Sequence, residues 1–198
     1  MAIAELMIAP FIIGLGHSVE TDHLVAVGNL VDVKGDWLKQ ASKGASWGLG
    51  HTVSVVFAAI CFSYIKIVFG EPEGWPFESL VGIMLILIGA IKIYRFTENA
   101  SENSNNSKKG AFFNVGLIHG LAGSGTIAVL LTGHETTTFM QFAFLGLFGM
   151  GTIVGMSVIT GFLTRFRILN TKYLSIISLL VAVISLAFGF KILINQFS

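Results

Sequence analysis

The sequence contains few charged residues. Only 12% of its 198 residues are Asp, Glu, Lys or Arg, which is about half the share found in soluble domains. The 12 basic and 11 acidic residues leave a formal net charge of +1, so the chain lacks the basic excess that a nucleic-acid-binding protein needs. Hydrophobic residues make up 54% of the chain, which excludes a disordered protein. The composition therefore predicts an all-α integral membrane protein that lies in a lipid bilayer.

The sequence also has a single cysteine and no nucleotide-binding motif. Cys61 is the single cysteine, so the chain cannot form an internal disulfide or a thiolate-rich metal site. We interpret Cys61 as an apolar packing residue. No G-x-x-x-x-G-K-[S/T] motif is present, so the chain does not hydrolyse ATP itself. The N-terminus carries Glu5 and no basic region, so we expect no signal peptide and a first apolar segment that stays in the mature protein.

Long apolar runs predict six transmembrane helices, because a helical span needs about 20 mostly apolar residues. The predicted spans cover 3–30, 44–69, 77–97, 111–132, 138–164 and 171–196. Lys and Arg cluster in the loops that follow the first, third and fifth spans. The positive-inside rule makes these loops cytoplasmic. We therefore predict a multi-pass protein of the plasma membrane with both termini outside.

The two halves of the chain share an internal repeat. At a shift of 102 positions, Gly14-Leu15 and His17 align with Gly116-Leu117 and His119, and at a shift of 101 Gly48-Leu-Gly50-His51 aligns with Gly149-Met-Gly151-Thr152. A unit of three spans crosses the membrane an odd number of times, so its two copies insert in opposite senses, as in many secondary transporters. We predict a 3+3 inverted repeat, with three-helix units over 1–98 and 111–198 and a cytoplasmic linker over 99–110.

Span 1 carries an unusual concentration of polar residues, namely His17, Glu20, Asp22 and His23. An acid at the bilayer centre costs about 2.5–3.5 kcal/mol, so such residues usually have a function. The plainer alternative is that the span ends near residue 20 and the motif lies at the membrane interface. Two acids and two histidines within seven residues favour a functional site.

The helical spacing of this motif raises a geometric problem. On a regular helix, His17 and His23 lie about 240° apart, so they do not share a face. Either the helix is distorted near Gly14 and Gly16, because irregular backbone is tolerated beside a cavity, or the side chains face different neighbours in the bundle.

The other histidines differ in their surroundings. His51 follows a Gly-rich stretch in span 2, and His119 lies in span 4 before Gly123-Ser-Gly125, which we expect either to break the helix or to pack tightly. His134 lies beside Glu135 in a predicted outer loop, where we expect it to be solvated. Imidazole nitrogen combined with carboxylate oxygen suits nickel, cobalt, zinc or iron, whereas magnesium and calcium prefer oxygen shells.

These motifs resemble those of the nickel/cobalt transporter family (NiCoT). His17-x-x-x-x-Asp22-His23 matches the H-x(4)-D-H signature of that family, with Glu20 where an acid is common. Leu49-Gly-His51-Thr-Val is similar to its second motif, and Gly116-Leu-Ile-His119-Gly-Leu-Ala-Gly-Ser is similar to its smaller NicO/UreH-type branch. The longer members have about eight spans rather than six, and members include both uptake and efflux proteins.

The resemblance implies a secondary transporter of nickel or cobalt, with no enzymatic activity and no prosthetic group. It implies His17, Asp22 and His23 as metal ligands, with His51 and His119 as further ligands or pathway residues. Protons compete with metals for His and Asp, which offers a route to proton coupling. The alternatives are an intramembrane metal-dependent hydrolase with Glu20 as base, and a non-transporting accessory or sensor protein. Neighbouring urease or hydrogenase genes would indicate nickel, and cobalamin genes would indicate cobalt.

Overall fold

The computed structural model describes residues 3–32, 35–69, 78–97, 109–132, 137–168 and 171–196. Apart from short connecting segments these ranges are helical, and they contain seven α-helices and one short 3₁₀ helix. In chain order they are α1 (Ile3–His17), α2 (Thr21–Leu30), α3 (Trp37–Phe69), α4 (Glu78–Thr97), α5 (Lys109–Thr132), α6 (Thr138–Phe162), the 3₁₀ helix (Leu163–Ile168) and α7 (Thr171–Gln196). His134 and nearly all of the predicted linker, 99–110, lie outside the described residues.

The first predicted span, 3–30, consists of two helices rather than one. α1 ends at His17, and the backbone N–H groups of Val19 and Glu20 bond to the carbonyls of Gly16 and His17 at 3.1 Å each. Glu20 then adopts an extended conformation (φ −61°, ψ 148°) as the N-cap of α2. Of the two alternatives that the sequence leaves open, the distorted helix is therefore present, but the distortion lies at residues 18–20 instead of at the two glycines of α1.

Three of the described helices are long and apolar enough to cross a membrane, over Trp37–Cys61, Phe139–Arg165 and Ile176–Asn195. Shorter apolar helices cover Ile8–His17 and Val81–Tyr94. Large apolar side chains such as Phe139, Val158 and Phe162 are exposed on the outside of the bundle, as expected of helices that face lipid. The all-helical, membrane-compatible class is therefore confirmed, and six spans stay a prediction.

Contacts of α3 with α5 and α6 and of α4 with α7 account for most of the helix packing. α3 contacts both α5 and α6, α1 lies against α6, and α4 pairs with α7. The short helix α2 packs mainly on α7, and it also contacts α4. α5 is continuous across residues 123–125, so the Gly-rich stretch does not break the backbone there.

Glycines let two pairs of helices approach until their backbones touch. A Cβ atom added at Gly14 of α1 would collide with the carbonyl oxygen of Phe148 in α6, and one at Gly116 of α5 would collide with the carbonyl oxygen of Trp47 in α3. Small residues at helix contacts allow this close approach. Because Gly14 lies one turn before His17, and Gly116 one turn before His119, the two contacts also set how deeply these histidines enter the bundle.

We expect Gly14→Ala to lower the free energy of unfolding by about 1–3 kcal/mol, as overpacking usually does, because α1 must move away from α6. Gly16→Ala is the matched control, since a Cβ there meets nothing within 4 Å. Alanine at this helical position should be neutral or raise stability by up to about 1 kcal/mol. Thermal unfolding of both variants in detergent measures the difference, and equal melting temperatures would contradict the contact.

Candidate metal centre

The break between α1 and α2 brings the span 1 motif together. His17 is the last residue of α1, whereas Asp22 and His23 lie in the first turn of α2. The change of direction at residues 18–20 removes the 240° separation that a continuous helix would impose. The rings of His17 and His23 consequently meet edge to face, with their centroids 4.5 Å apart.

A first set of contacts links α1 to α3 through His17 and His51. His17 Nδ1 donates to Glu20 Oε1 at 2.8 Å, so its Nε2 carries the lone pair. That Nε2 lies 3.2 Å from Nε2 of His51, which must then donate. A metal ion between the two nitrogens would replace this shared proton. Glu20 itself is 55% exposed, so it orients the His17 ring from the edge of the site.

A second set of contacts links α2 to α5 through Asp22. His23 Nδ1 donates to Asp22 Oδ1 at 2.9 Å, and the other carboxylate oxygen, Oδ2, lies 3.6 Å from His119 Nε2. A histidine that ligates a metal commonly donates its other N–H to a carboxylate, which fixes the tautomer and makes the free nitrogen more basic. Both His17 and His23 have this arrangement.

The histidine nitrogens in the interior are poorly satisfied. Within the described part of the chain, His23 Nε2, His51 Nδ1 and both nitrogens of His119 are buried without a hydrogen-bond partner. Buried polar groups are normally paired, and an unpaired one calls for an explanation such as an ion or a catalytic role. Several unpaired imidazole nitrogens in one place indicate a site for an electron-pair acceptor.

The potential ligand atoms form two triads, and atoms of each triad lie within 4.8 Å of one another. We call the first, His17, His23 and His51, the three-histidine triad. We call the second, Asp22, His23 and His119, the aspartate triad. Each triad combines side chains that could hold a divalent transition metal.

An aromatic side chain that the sequence analysis does not identify completes the cluster. Trp47 is fully buried, and its ring stacks on His51 with centroids 5.3 Å apart. It also lies 4.8 Å from the ring of His23 and 5.4 Å from that of His119. In the sequence, Trp47 lies one helical turn before His51, which would place it beside the site. A Trp in an apolar span is equally typical of a lipid-facing residue, so this position did not single it out.

The cluster is closed on one side by apolar residues. Val27 follows His23 by one turn of α2, and Trp47 precedes His51 by one turn of α3. These two residues belong to a buried apolar cluster with Val31, Phe112 and Met156. An apolar layer of this kind resists the passage of a hydrated ion, so the histidines are separated from the end of the bundle that carries Val31.

The structure therefore brings together five of the six residues singled out by the sequence, and these are His17, Asp22, His23, His51 and His119. Glu20 contacts His17 without joining either triad. Their role as metal ligands stays a prediction at this point. The fold and cluster define an all-helical, membrane-compatible protein whose interior holds a His/Asp site.

The chain has recognisable relatives. It is 26% identical over 161 residues to the urease accessory protein UreH of Bacillus sp. (strain TB-90), which covers 74% of this chain and 70% of that protein. It is also similar to two Arabidopsis thaliana proteins named chloroplast protein FOR GROWTH AND FERTILITY 2 and 1, at 26% and 27% identity over 94% and 77% of this chain. The chain spans about half the length of these two plant proteins (55% and 48%). No family model and no solved structure matches the sequence.

Trp47 should matter to stability because it is packed against three of the four histidines. We expect Trp47→Ala to lower the free energy of unfolding by about 3–5 kcal/mol, as for other buried tryptophans. Trp37→Ala, on the same helix but at a residue that is 58% exposed, should change it by about 0.5 kcal/mol or less. Thermal or denaturant unfolding in detergent compares the two, and similar losses would show that Trp47 is not a core residue.

Proposed function

We propose that this chain is a secondary membrane transporter that carries divalent transition-metal ions across the plasma membrane. The observation that supports this most strongly is a cluster of four histidines and one aspartate among otherwise apolar helices, with His23, His51 and His119 buried. Ionisable groups at membrane depth are costly and typically mark the path of an ion or substrate. The proposed ligands are His17, Asp22, His23, His51 and His119, with Glu20 positioning His17.

Nickel is the cargo that we propose first, and cobalt second. Imidazole and carboxylate donors suit both ions, and the single cysteine leaves no thiolate-rich set that would favour softer metals. The name of the Bacillus relative refers to urease. We expect an association with urease to indicate nickel and not cobalt, so this similarity supports nickel.

A 3+3 inverted repeat is part of this proposal, and repeated helix contacts support it. A Cβ at Gly50 of α3 would collide with the carbonyl oxygen of Phe113 in α5, and one at Gly151 of α6 would collide with that of Phe11 in α1. Gly50 aligns with Gly151, and Phe11 with Phe113, at the shifts of 101 and 102 that relate the two halves. Corresponding glycines thus make corresponding contacts.

The pairing of helices follows the same relation. If α1 and α2 together correspond to α5, α3 to α6 and α4 to α7, then the α1–α6 contact has its counterpart in α5–α3, and the α2–α7 contact in α5–α4. All four contacts are present. This supports two units, over 1–98 and 111–198, whose interface includes the histidines, where transporters with inverted repeats commonly bind substrate.

The inverted repeat predicts that the linker and the C-terminus lie on opposite sides of the membrane. With Cys61 replaced by Ser, single cysteines are introduced by Ser104→Cys in the linker and Ser198→Cys at the C-terminus. A membrane-impermeant maleimide should label the C-terminal cysteine in intact cells and the linker cysteine only after permeabilisation, because three spans separate them. Labelling of both from the same side would contradict the six-span topology.

A non-transporting accessory protein is the second candidate, and the name of the Bacillus relative, a urease accessory protein, favours it. Such a protein would bind metal without moving it, so a flux measurement separates the two functions. A metal-dependent hydrolase is not favoured. Its expected base, Glu20, is occupied by the hydrogen bond to His17 and lies at the exposed edge of the cluster.

Metal flux tests the transporter directly. Purified protein in proteoliposomes should move Ni²⁺ or Co²⁺ across the bilayer, and cells that express it should change their content of the same metal. His17→Ala and His23→Ala should each reduce this flux by at least about tenfold, as the loss of metal-site partners commonly does. His134→Ala is the matched control, because it removes the one histidine that we do not assign to the site.

Two results would contradict transport. Unchanged metal movement in both His17→Ala and His23→Ala, at equal expression, would exclude the histidine cluster as the path. Metal binding by the wild-type protein without any flux in proteoliposomes would favour the accessory function instead.

A further inference from the structure

The donors of the cluster fit two ion positions better than one. In a tetrahedral site with metal–ligand distances of about 2.0–2.2 Å, two ligand atoms lie about 3.4 Å apart. The 3.2 Å between His17 Nε2 and His51 Nε2 matches this spacing, and so does the 3.6 Å between Asp22 Oδ2 and His119 Nε2. The two pairs share no residue, and each belongs to a different triad.

His23 is the member that the two triads have in common. Its side chain is buried, and its ring centroid lies 4.5 Å from that of His17, 5.5 Å from that of His51 and 4.8 Å from that of His119. One ring nitrogen, Nδ1, faces Asp22, whereas Nε2, on the other side of the ring, has no hydrogen-bond partner in the described structure. His23 therefore lies between two sets of donors.

We propose that a single transported ion occupies two successive positions, first one triad and then the other, and that His23 is the ligand common to both. This inference rests on the proposed transport function and specifies how the ion moves within the site. The ion exchanges the pair His17 and His51 for the pair Asp22 and His119, or the reverse, and no bond to carbon or change of oxidation state is involved.

A shared ligand lowers the cost of this exchange. An ion that released all its ligands inside the bundle would be an uncompensated charge in a medium of low dielectric constant, which costs many kcal/mol. An ion that keeps one ligand while it changes the other two avoids that state. Conduction through any narrow site likewise requires several positions of moderate affinity instead of one tight site.

The two positions also belong to different parts of the fold. The pair His17 and His51 connects α1 with α3, whereas the pair Asp22 and His119 connects α2 with α5. The break at residues 18–20 separates α1 from α2, so the two pairs are carried by different helices. The three-histidine triad carries no formal charge with neutral rings, whereas the aspartate triad carries one negative charge, so the two positions differ in their attraction for a cation.

Binding of Co²⁺ tests this inference, because its absorption spectrum and X-ray absorption fine structure report the ligands. The full-length protein in lipid nanodiscs is titrated with Co²⁺ alone, and bound metal and imidazoles per metal are measured. We expect one Co²⁺ per chain with two to three imidazoles in the wild type. His17→Ala should retain Co²⁺ with two imidazoles, and His119→Ala should retain it with three, while both lose flux.

The shared residue should behave differently from the unshared ones. His23→Ala should raise the Kd for Co²⁺ by at least about 100-fold, beyond the loss that outer-shell partners cause, because it removes a ligand from both positions. His17→Gln, His119→Gln and His23→Gln, which keep a polar side chain of similar size, repeat the comparison in case an alanine variant is poorly folded. His134→Ala should match the wild type in metal content, spectrum and flux.

The failures of the two proposals are distinguishable. A wild-type protein that transports metal but holds Co²⁺ with four imidazoles has one site only, which overturns the two positions and leaves the transporter intact. If the His17 and His119 variants are folded and both lose Co²⁺ binding, the ion has one site only, and the two positions are likewise overturned. A wild-type protein that neither binds nor transports the ion overturns the proposed function, and the two positions with it.

Discussion

The structure depends on the burial of imidazole rings in an apolar bundle. Four histidines lie at the junction of α1, α2, α3 and α5, where an unpaired polar group is expensive. The carboxylates of Glu20 and Asp22 offset part of this cost by accepting the Nδ1 protons of His17 and His23. The break between α1 and α2 allows these bonds, and the glycine contacts of α1 with α6 and of α5 with α3 bring the rings close enough to form one cluster.

Trp47 explains why the cluster has a defined shape. Its ring contacts His23, His51 and His119 at once, so it holds side chains from three helices in place. On the other face, Phe148 lies 5.3 Å from the ring of His17. Trp47 and Phe148 occupy aligned positions in the two halves, and together they enclose the histidines between aromatic walls.

Much of the site could be predicted from the sequence, because His17, Asp22, His23, His51 and His119 are rare residue types in apolar spans. The path of the backbone between His17 and His23 could not be predicted. The 240° between His17 and His23 allowed either a distorted helix or side chains with different neighbours. The break at residues 18–20 depends on how α2 turns to pack against α7, which is a tertiary contact. Trp47 was not predicted because apolar packing, lipid contact and ligand support require the same residue type.

The fold class could also be predicted from composition, since low charge and long apolar runs leave few alternatives. The ends of the helices were harder to predict. α3 begins at Trp37, seven residues before the predicted span, because neighbouring helices bury the polar side chains of Gln40 and Lys43, which the apolar pattern alone does not reveal. The continuity of α5 through residues 123–125 likewise depends on packing rather than on the local helix propensity of glycine.

The break between α1 and α2 has a consequence for ion charge. The C-terminus of α1 and the N-terminus of α2 carry opposite partial charges of about half an elementary charge, and both lie beside the cluster, so their effects on a bound cation largely cancel. The formal charges that remain are those of Asp22 and Glu20. Only Asp22 belongs to a triad, because Glu20 is 55% exposed and accepts a hydrogen bond from His17, so one carboxylate would face a bound cation. In the proposed transporter, the cluster would therefore offset only part of the charge of a divalent ion, and neutral imidazole rings would supply most of its ligands.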